Sequence, residues 1–95
     1  MRFIYPAIIR KIRVDLYEAR VPDLEGCIAA GFSEDDVMIE INAAMLAWIT
    51  LELEEEEQPQ LPPISEAEDL KHQLREDEFL RNVCVTYRSY DGWDE

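Results

Sequence analysis

The stretch Val21–Ser33, V-P-D-L-E-G-C-I-A-A-G-F-S, constrains the fold of this chain more than any other part of it. Pro22 presets φ, Asp23 can bond the backbone ahead, and Gly26 takes a positive φ, so residues 22–26 predict a tight turn. Cys27–Ala30 then reads as a short strand of small residues. Gly31 and Phe32 lead into Ser33, a good helix N-cap with Asp36 three residues on. No residue in the stretch is set up for chemistry.

Strands precede it and a helix follows. Phe3–Ile12 is rich in β-branched and aromatic residues and predicts a strand. Pro6 cannot donate to a ladder, so this strand needs an open side or a bulge there. Val14–Val21 predicts a second strand, with Tyr17, Ala19 and Val21 on one face and Glu18 and Arg20 on the other. The turn between the two must come from Arg10–Asp15, which holds no Gly or Asn.

The helix is expected from Glu34 to about Glu54, with Glu34, Asp35 and Asp36 at the positive end of its dipole. Val37, Ile41, Ala44, Met45, Trp48 and Leu51 follow the helical period and form the expected core face. Ile39, Leu46 and Leu53 recur every seven residues on nearly the opposite side. Such a stripe needs a cover: the later chain, a second copy, or another protein. Glu52 and Glu54, Glu55, Glu56 and Glu57 crowd the helix C-terminus, where the dipole disfavours acid. They read either as a frayed, solvated end or as a docking edge for a partner's Lys and Arg.

Gln58–Ile64, Q-P-Q-L-P-P-I, breaks the helix and is extended. Ser65 with Glu68 forms a capping box that opens a second helix, expected to run to about Glu76 with Leu70 and Leu74 inward. Asn82–Tyr90 predicts a last strand, Val83, Val85 and Tyr87 alternating with Cys84, Thr86 and Arg88. Asp91–Glu95 reads as a tail. The expected fold is α+β: a three-stranded antiparallel sheet packed by one long helix, plus a short second helix and a final strand. Residues 1–90 are expected to form one domain, with 58–64 an internal connection.

Ninety-five residues, 47% of them apolar, suit one domain with a single core. Twenty-two acidic residues against nine basic give a net charge of −13. That surface repels phosphate backbones and attracts basic proteins, and it also serves solubility alone. Cys27 and Cys84 lie far apart in sequence, in apolar, strand-like surroundings. They predict free thiols in a reduced cytoplasm. The opening M-R-F-I-Y-P-A-I-I-R-K is too short to be a signal peptide or a membrane span.

Candidate chemistry is sparse. His72, the single histidine, lies among charged helix residues and reads as a surface group. No His or Cys spacing suits zinc. Asp23, Glu25, Asp35 and Asp36 are able to hold Mg²⁺ in principle, but turn and cap roles already explain them. The three glycines are isolated, so no phosphate loop is present. Trp48 reads as core and Trp93 as tail, not as a base-stacking platform. No catalytic, cofactor or metal site is assigned.

Tyr5-Pro6-Ala7, then Pro22-Asp23-Leu24 with Gly26-Cys27, a strand, Gly31 and an acidic helix rich in Ala and Leu occur in an order that resembles the HicB family of bacterial antitoxins. The resemblance covers roughly Phe3–Ser65, with a weaker match at the last strand. It implies an antiparallel sheet backed by a helix, a fold also likened to a truncated ribonuclease H. It implies neutralisation of a small basic, HicA-like toxin that cleaves messenger RNA, the catalytic histidine belonging to the toxin. The family's acidic, Gly-containing first turn is replaced here by K-I-R-V-D. Many members also end in a DNA-binding domain, whereas Ser65–Glu76 offers one short acidic helix, so no autonomous operator binding is expected.

Three functions follow as expectations. In an antitoxin-type inhibitor, Ile39, Leu46, Leu53, Glu54, Glu55, Glu56 and Glu57 face the toxin. In a solitary homo-oligomeric regulatory module, the same stripe pairs with its own copy. A Mg²⁺-dependent nuclease needs several converging carboxylates, and no set is singled out.

Overall fold

The computed structural model of the protein describes residues 1–55, 57–58 and 60–87. Its elements run β1 (Arg2–Arg13), β2 (Leu16–Arg20), β3 (Ile28–Gly31), α1 (Glu34–Glu55), α2 (Ala67–Lys71) and β4 (Glu78–Thr86). The strands form one antiparallel sheet in the order β3-β2-β1-β4. The last strand therefore joins the sheet beside β1, giving four strands rather than three. It also starts earlier than Asn82, because Glu78 and Phe79 already pair with Arg10 and Ile9. The expected tail, Asp91–Glu95, lies outside the described residues.

The β1–β2 turn sits at Val14-Asp15, tightened by an irregularity between Lys11 and Arg13. Without Gly or Asn, the hairpin closes through that extra residue. Pro6 is inside a central strand, and its place is allowed by parity. Odd residues of β1 exchange bonds with β4, as the mutual pair Met1–Tyr87 sets (Tyr87 N–H to the Met1 carbonyl, 2.8 Å). Pro6 thus points its nitrogen toward β2, whose pairing stops at Ile8↔Arg20. No ladder bond is lost.

One face of the sheet carries Tyr5, Ala7, Ile9, Ala19, Val21, Val83 and Val85 into a buried cluster with Val37, Ile41, Met45 and Ile49 of α1. Ser33 caps the helix as expected, its hydroxyl accepting the Asp36 N–H at 3.1 Å. The buried ridge differs from the expected one. It steps by four residues, and each step advances about 40° beyond a full turn. Burial therefore winds round the helix from Val37 to Ile49. Ile49, absent from the expected face, is fully buried; Leu51, placed in the core, is 56% exposed. Trp48 is half-buried and donates its indole N–H to the Glu25 carbonyl at 2.9 Å.

The Val21–Cys27 turn closes with backbone bonds from Leu24 to Val21 and from Cys27 to Leu24, both 3.0 Å, and Gly26 has φ +81°. Asp23 does not bond the backbone just ahead. Its carboxylate accepts both the N–H (2.9 Å) and the hydroxyl of Ser65. The helix opens one residue later than the capping box placed it: α2 is a five-residue helix whose N-cap, Glu66, makes no side-chain cap bond. Nearby, the Tyr5 hydroxyl donates to the Pro62 carbonyl at 2.6 Å. Burial, with the Asp23 charge second, pushes the Tyr5 phenol above its ordinary range and keeps it a donor. These bonds tie the segment after α1 to the sheet end. Beyond them Leu70 of α2 is buried, as is Ile8, outside the main cluster; Leu74 is only half-buried.

Of the cysteines, Cys27 is buried, and burial raises its thiol pKa. Cys84, expected in apolar surroundings, is exposed, because it lies on the face of β4 turned away from α1.

Two outcomes test this packing. A Cβ at Gly31 would lie 2.5 Å from the Val37 nitrogen, so α1 starts against bare backbone. Gly31→Ala should lower stability by about 1–3 kcal/mol in urea unfolding. Glu78, whose side chain is 4% exposed, accepts the Arg75 N–H at 2.9 Å and pairs with Arg20 at 3.3 Å. The backbone bond first and Arg20 next hold its carboxyl below the ordinary Glu range. The native state then binds fewer protons than the unfolded chain near about pH 4. Its stabilisation is present above that range and is lost as pH falls through it. Glu78→Gln should flatten the acid limb of stability against pH, with little change in its slope near neutrality.

Candidate partner-binding surface

Residues of α1 turned away from the core define an exposed apolar face. Ile39, Ala43, Leu46, Ala47 and Leu51 are all exposed and stand at i, i+4, i+7, i+8 and i+12. That spacing places them along one side of the helix. The seven-residue stripe expected from the sequence is only partly this face. A heptad drifts about 20° backwards on a straight helix while the buried ridge drifts forwards. The two converge at the C-terminal end, so Leu53 is half-buried against the core while Ile39 stays 66% exposed. Leu51 takes Leu53's place on the outside. The alternation of small Ala with Leu and Ile was the signal available in the sequence, and it was masked by the apparent fit of Leu51 to the core.

This face runs into acid. Trp48, Leu51, Glu52 and Glu55 line a shallow groove of about 290 Å³, two of its residues apolar and two carboxylate. Glu54 accepts the Tyr87 hydroxyl at 3.0 Å, and Glu52 accepts the Gln60 N–H at 3.3 Å. Glu54, Glu55 and Glu57 are exposed; Glu56 lies outside the described residues. Among the described residues, acidic groups in ion pairs are Asp77, Asp15, Glu78 and Glu34, none of them at this end of the helix. The last turn of α1 holds no basic residue. These carboxylates thus sit uncompensated against the negative end of the dipole.

A second groove, of about 320 Å³, lies between the other flank of α1 and β4, lined by Met38, Ile39, Asn42, Asn82, Val83 and Cys84. No carboxylate of the described residues lines it. Of the residues expected to face a partner, Ile39 lines the groove beside β4, whereas Glu54, Glu55 and Glu57 lie at the far end of α1.

The groups able to do chemistry are scattered. His72 is exposed at the end of α2. Asp23 is committed to Ser65. Among the described residues no three His, Cys, Asp or Glu side chains gather as a metal site, and no helix is long and apolar enough to cross a membrane.

Comparison with known proteins fits this picture. The family described as HicB_like antitoxin of bacterial toxin-antitoxin system matches residues 5–87. The fold is similar to that of the N-terminal domain of the Burkholderia pseudomallei antitoxin HicB, with TM-score 0.76 and 21% identity over 90% of this chain and 100% of that one. A longer Burkholderia pseudomallei HicB matches at TM-score 0.72 and 22% identity, over 85% of this chain and 60% of that one. A chain of a HicA3 and HicB3 toxin–antitoxin complex matches at TM-score 0.65 and 27% identity, over 85% of this chain and 95% of that one. No curated protein matches. With the family's profile running from within β1 to just past the end of β4, the chain belongs to the HicB-like antitoxins of bacterial toxin–antitoxin systems.

Proposed function

We propose that this protein neutralises a small, basic, HicA-like, messenger-RNA-cleaving toxin by binding it, and contributes no chemistry of its own. The observation that carries the reading is the outer face of α1: apolar from Ala43 to Leu51, then acidic at Glu54, Glu55 and Glu57. Apolar anchors supply most of the affinity at such a surface, and charge sets the encounter rate. A partner's Lys or Arg placed at the helix end relieves both the mutual repulsion of the carboxylates and their conflict with the dipole. A net charge of −13 favours a basic protein over a phosphate backbone, which supports protein binding in place of autonomous nucleic-acid binding. The likeness to a chain of a HicA3 and HicB3 complex supports a HicA-like partner.

Co-expression with a HicA-like toxin, scored by rescue of growth, tests the proposal. Leu51→Asp should weaken the complex about 10- to 100-fold, chiefly by faster dissociation. Glu54→Lys with Glu55→Lys should slow association about tenfold at low salt and much less at high salt. Full rescue and unchanged affinity in all of these variants, or RNA cleavage by the purified chain alone, would overturn it.

A further inference from the structure

Four side chains near the end of α1 converge on one groove of about 290 Å³: Trp48, Leu51, Glu52 and Glu55. At about 100° per residue they span only about 100° of the helix circumference, so two turns stack them on one side. Two of them are held from outside the helix. The Trp48 indole N–H donates to the Glu25 carbonyl at 2.9 Å, and the ring packs against the core. One Glu52 carboxylate oxygen accepts the Gln60 N–H at 3.3 Å. The ring and that carboxylate are thus set in place before anything binds.

The chemistry of the groove selects its occupant. Two carboxylates beside the negative end of the helix dipole call for a positive charge. Among the described residues neither Glu52 nor Glu55 has an ion pair, and the last turn of α1 holds no basic residue. An indole attracts a cation to its face. It offers no oxygen ligand, and among the described residues no third His, Cys, Asp or Glu joins the pair, so a hard metal ion is poorly served. Leu51 matches the methylene stem of a long cationic side chain. A lysine ammonium is a compact point charge. An arginine guanidinium is planar, stacks on an aromatic ring and forks its N–H groups to carboxylates.

We infer that this groove is a receptor for a single arginine side chain of the partner, with its guanidinium stacked on Trp48 and hydrogen-bonded to Glu52 and Glu55, and its stem against Leu51. This role rests on the reading of the chain as a binder of a basic protein, and it specifies the group that such a protein must present.

The test titrates the isotope-labelled full chain with acetyl-Gly-Arg-Gly-amide or acetyl-Gly-Lys-Gly-amide at constant ionic strength, followed by NMR. The arginine peptide should saturate with a dissociation constant of about 10 mM or below. Shifts should centre on the amides of Leu51, Glu52 and Glu55 and on the indole N–H of Trp48, told from that of Trp93 by its loss in Trp48→Phe. The lysine peptide should bind at least about threefold more weakly. Glu52→Gln and Glu55→Gln should each weaken the arginine peptide about three- to tenfold, and Trp48→Phe about twofold. Glu40→Gln removes an exposed charge about two turns earlier on α1 and should leave binding unchanged. If Trp48→Phe lowers the helix content, the two Glu variants decide. A Trp48 indole that does not respond to the arginine peptide overturns the inference. So do equal affinities for the two peptides, or Glu52→Gln and Glu55→Gln that bind as Glu40→Gln does. Failure of growth rescue beside a HicA-like toxin removes the toxin reading and leaves these titrations as they are. A flat titration with rescue intact removes the arginine receptor alone.

Discussion

The close approach of α1 to the sheet is the contact on which the rest of the molecule depends. Ala7 and Ala19 lie under the helix with no exposed surface, and Gly31 leaves no room for a side chain beside the helix start. Small residues below let Val37, Ile41, Met45 and Ile49 reach the sheet along one ridge. Burying side chains of this size stabilises each by about 1.5–3 kcal/mol relative to exposure. Because the ridge advances by fours, it turns the opposite side of the helix as well. The outer face is therefore not a chosen stripe but what remains once the ridge is buried.

Much of this architecture was readable from the residues, and the misses share one cause. Elements set by local rules were recovered: the Pro22–Gly26 turn with its positive φ at Gly26, the Ser33 cap, and the long helix from Glu34. Choices settled by partners distant in sequence were not. Ser65 obeys the capping-box pattern, yet its N–H and hydroxyl both donate to Asp23, far back in the chain, and the helix takes Glu66 as its N-cap instead. Leu51 has the right period for the core, yet drift of the buried ridge puts Ile49 there instead. The last strand begins at Glu78 because Arg10 and Ile9 are waiting to pair with it. On the candidate surface, acid at the helix end was visible in the sequence. The separation of Ile39 from that acid was not, since it depends on where β4 lies.

Charge is distributed with the same logic. The helix carries Glu34, Asp35 and Asp36 where its dipole welcomes them, and Glu52, Glu54 and Glu55 where it does not. Along β4 the acid is confined to Glu78 at its start, which pairs with Arg20. A strongly acidic chain thus keeps one strand poor in acid and one helix end whose carboxylates have no ion-pair partner among the described residues. Surfaces so different recognise different things: the first has backbone groups and apolar side chains to offer, the second a field.

Pro6 carries a consequence of its own. It stands just past the point where β2 leaves β1, with its donorless nitrogen on that side. Sliding β2 by two residues toward the start of β1 would keep every side chain on its proper face, so the pleat alone does not forbid it. It would, however, bring Arg20 opposite Pro6 and leave a carbonyl unanswered. The ring acts as a doorstop for the hairpin, fixing where β2 comes to rest and, through it, where β3 and the start of α1 are laid down.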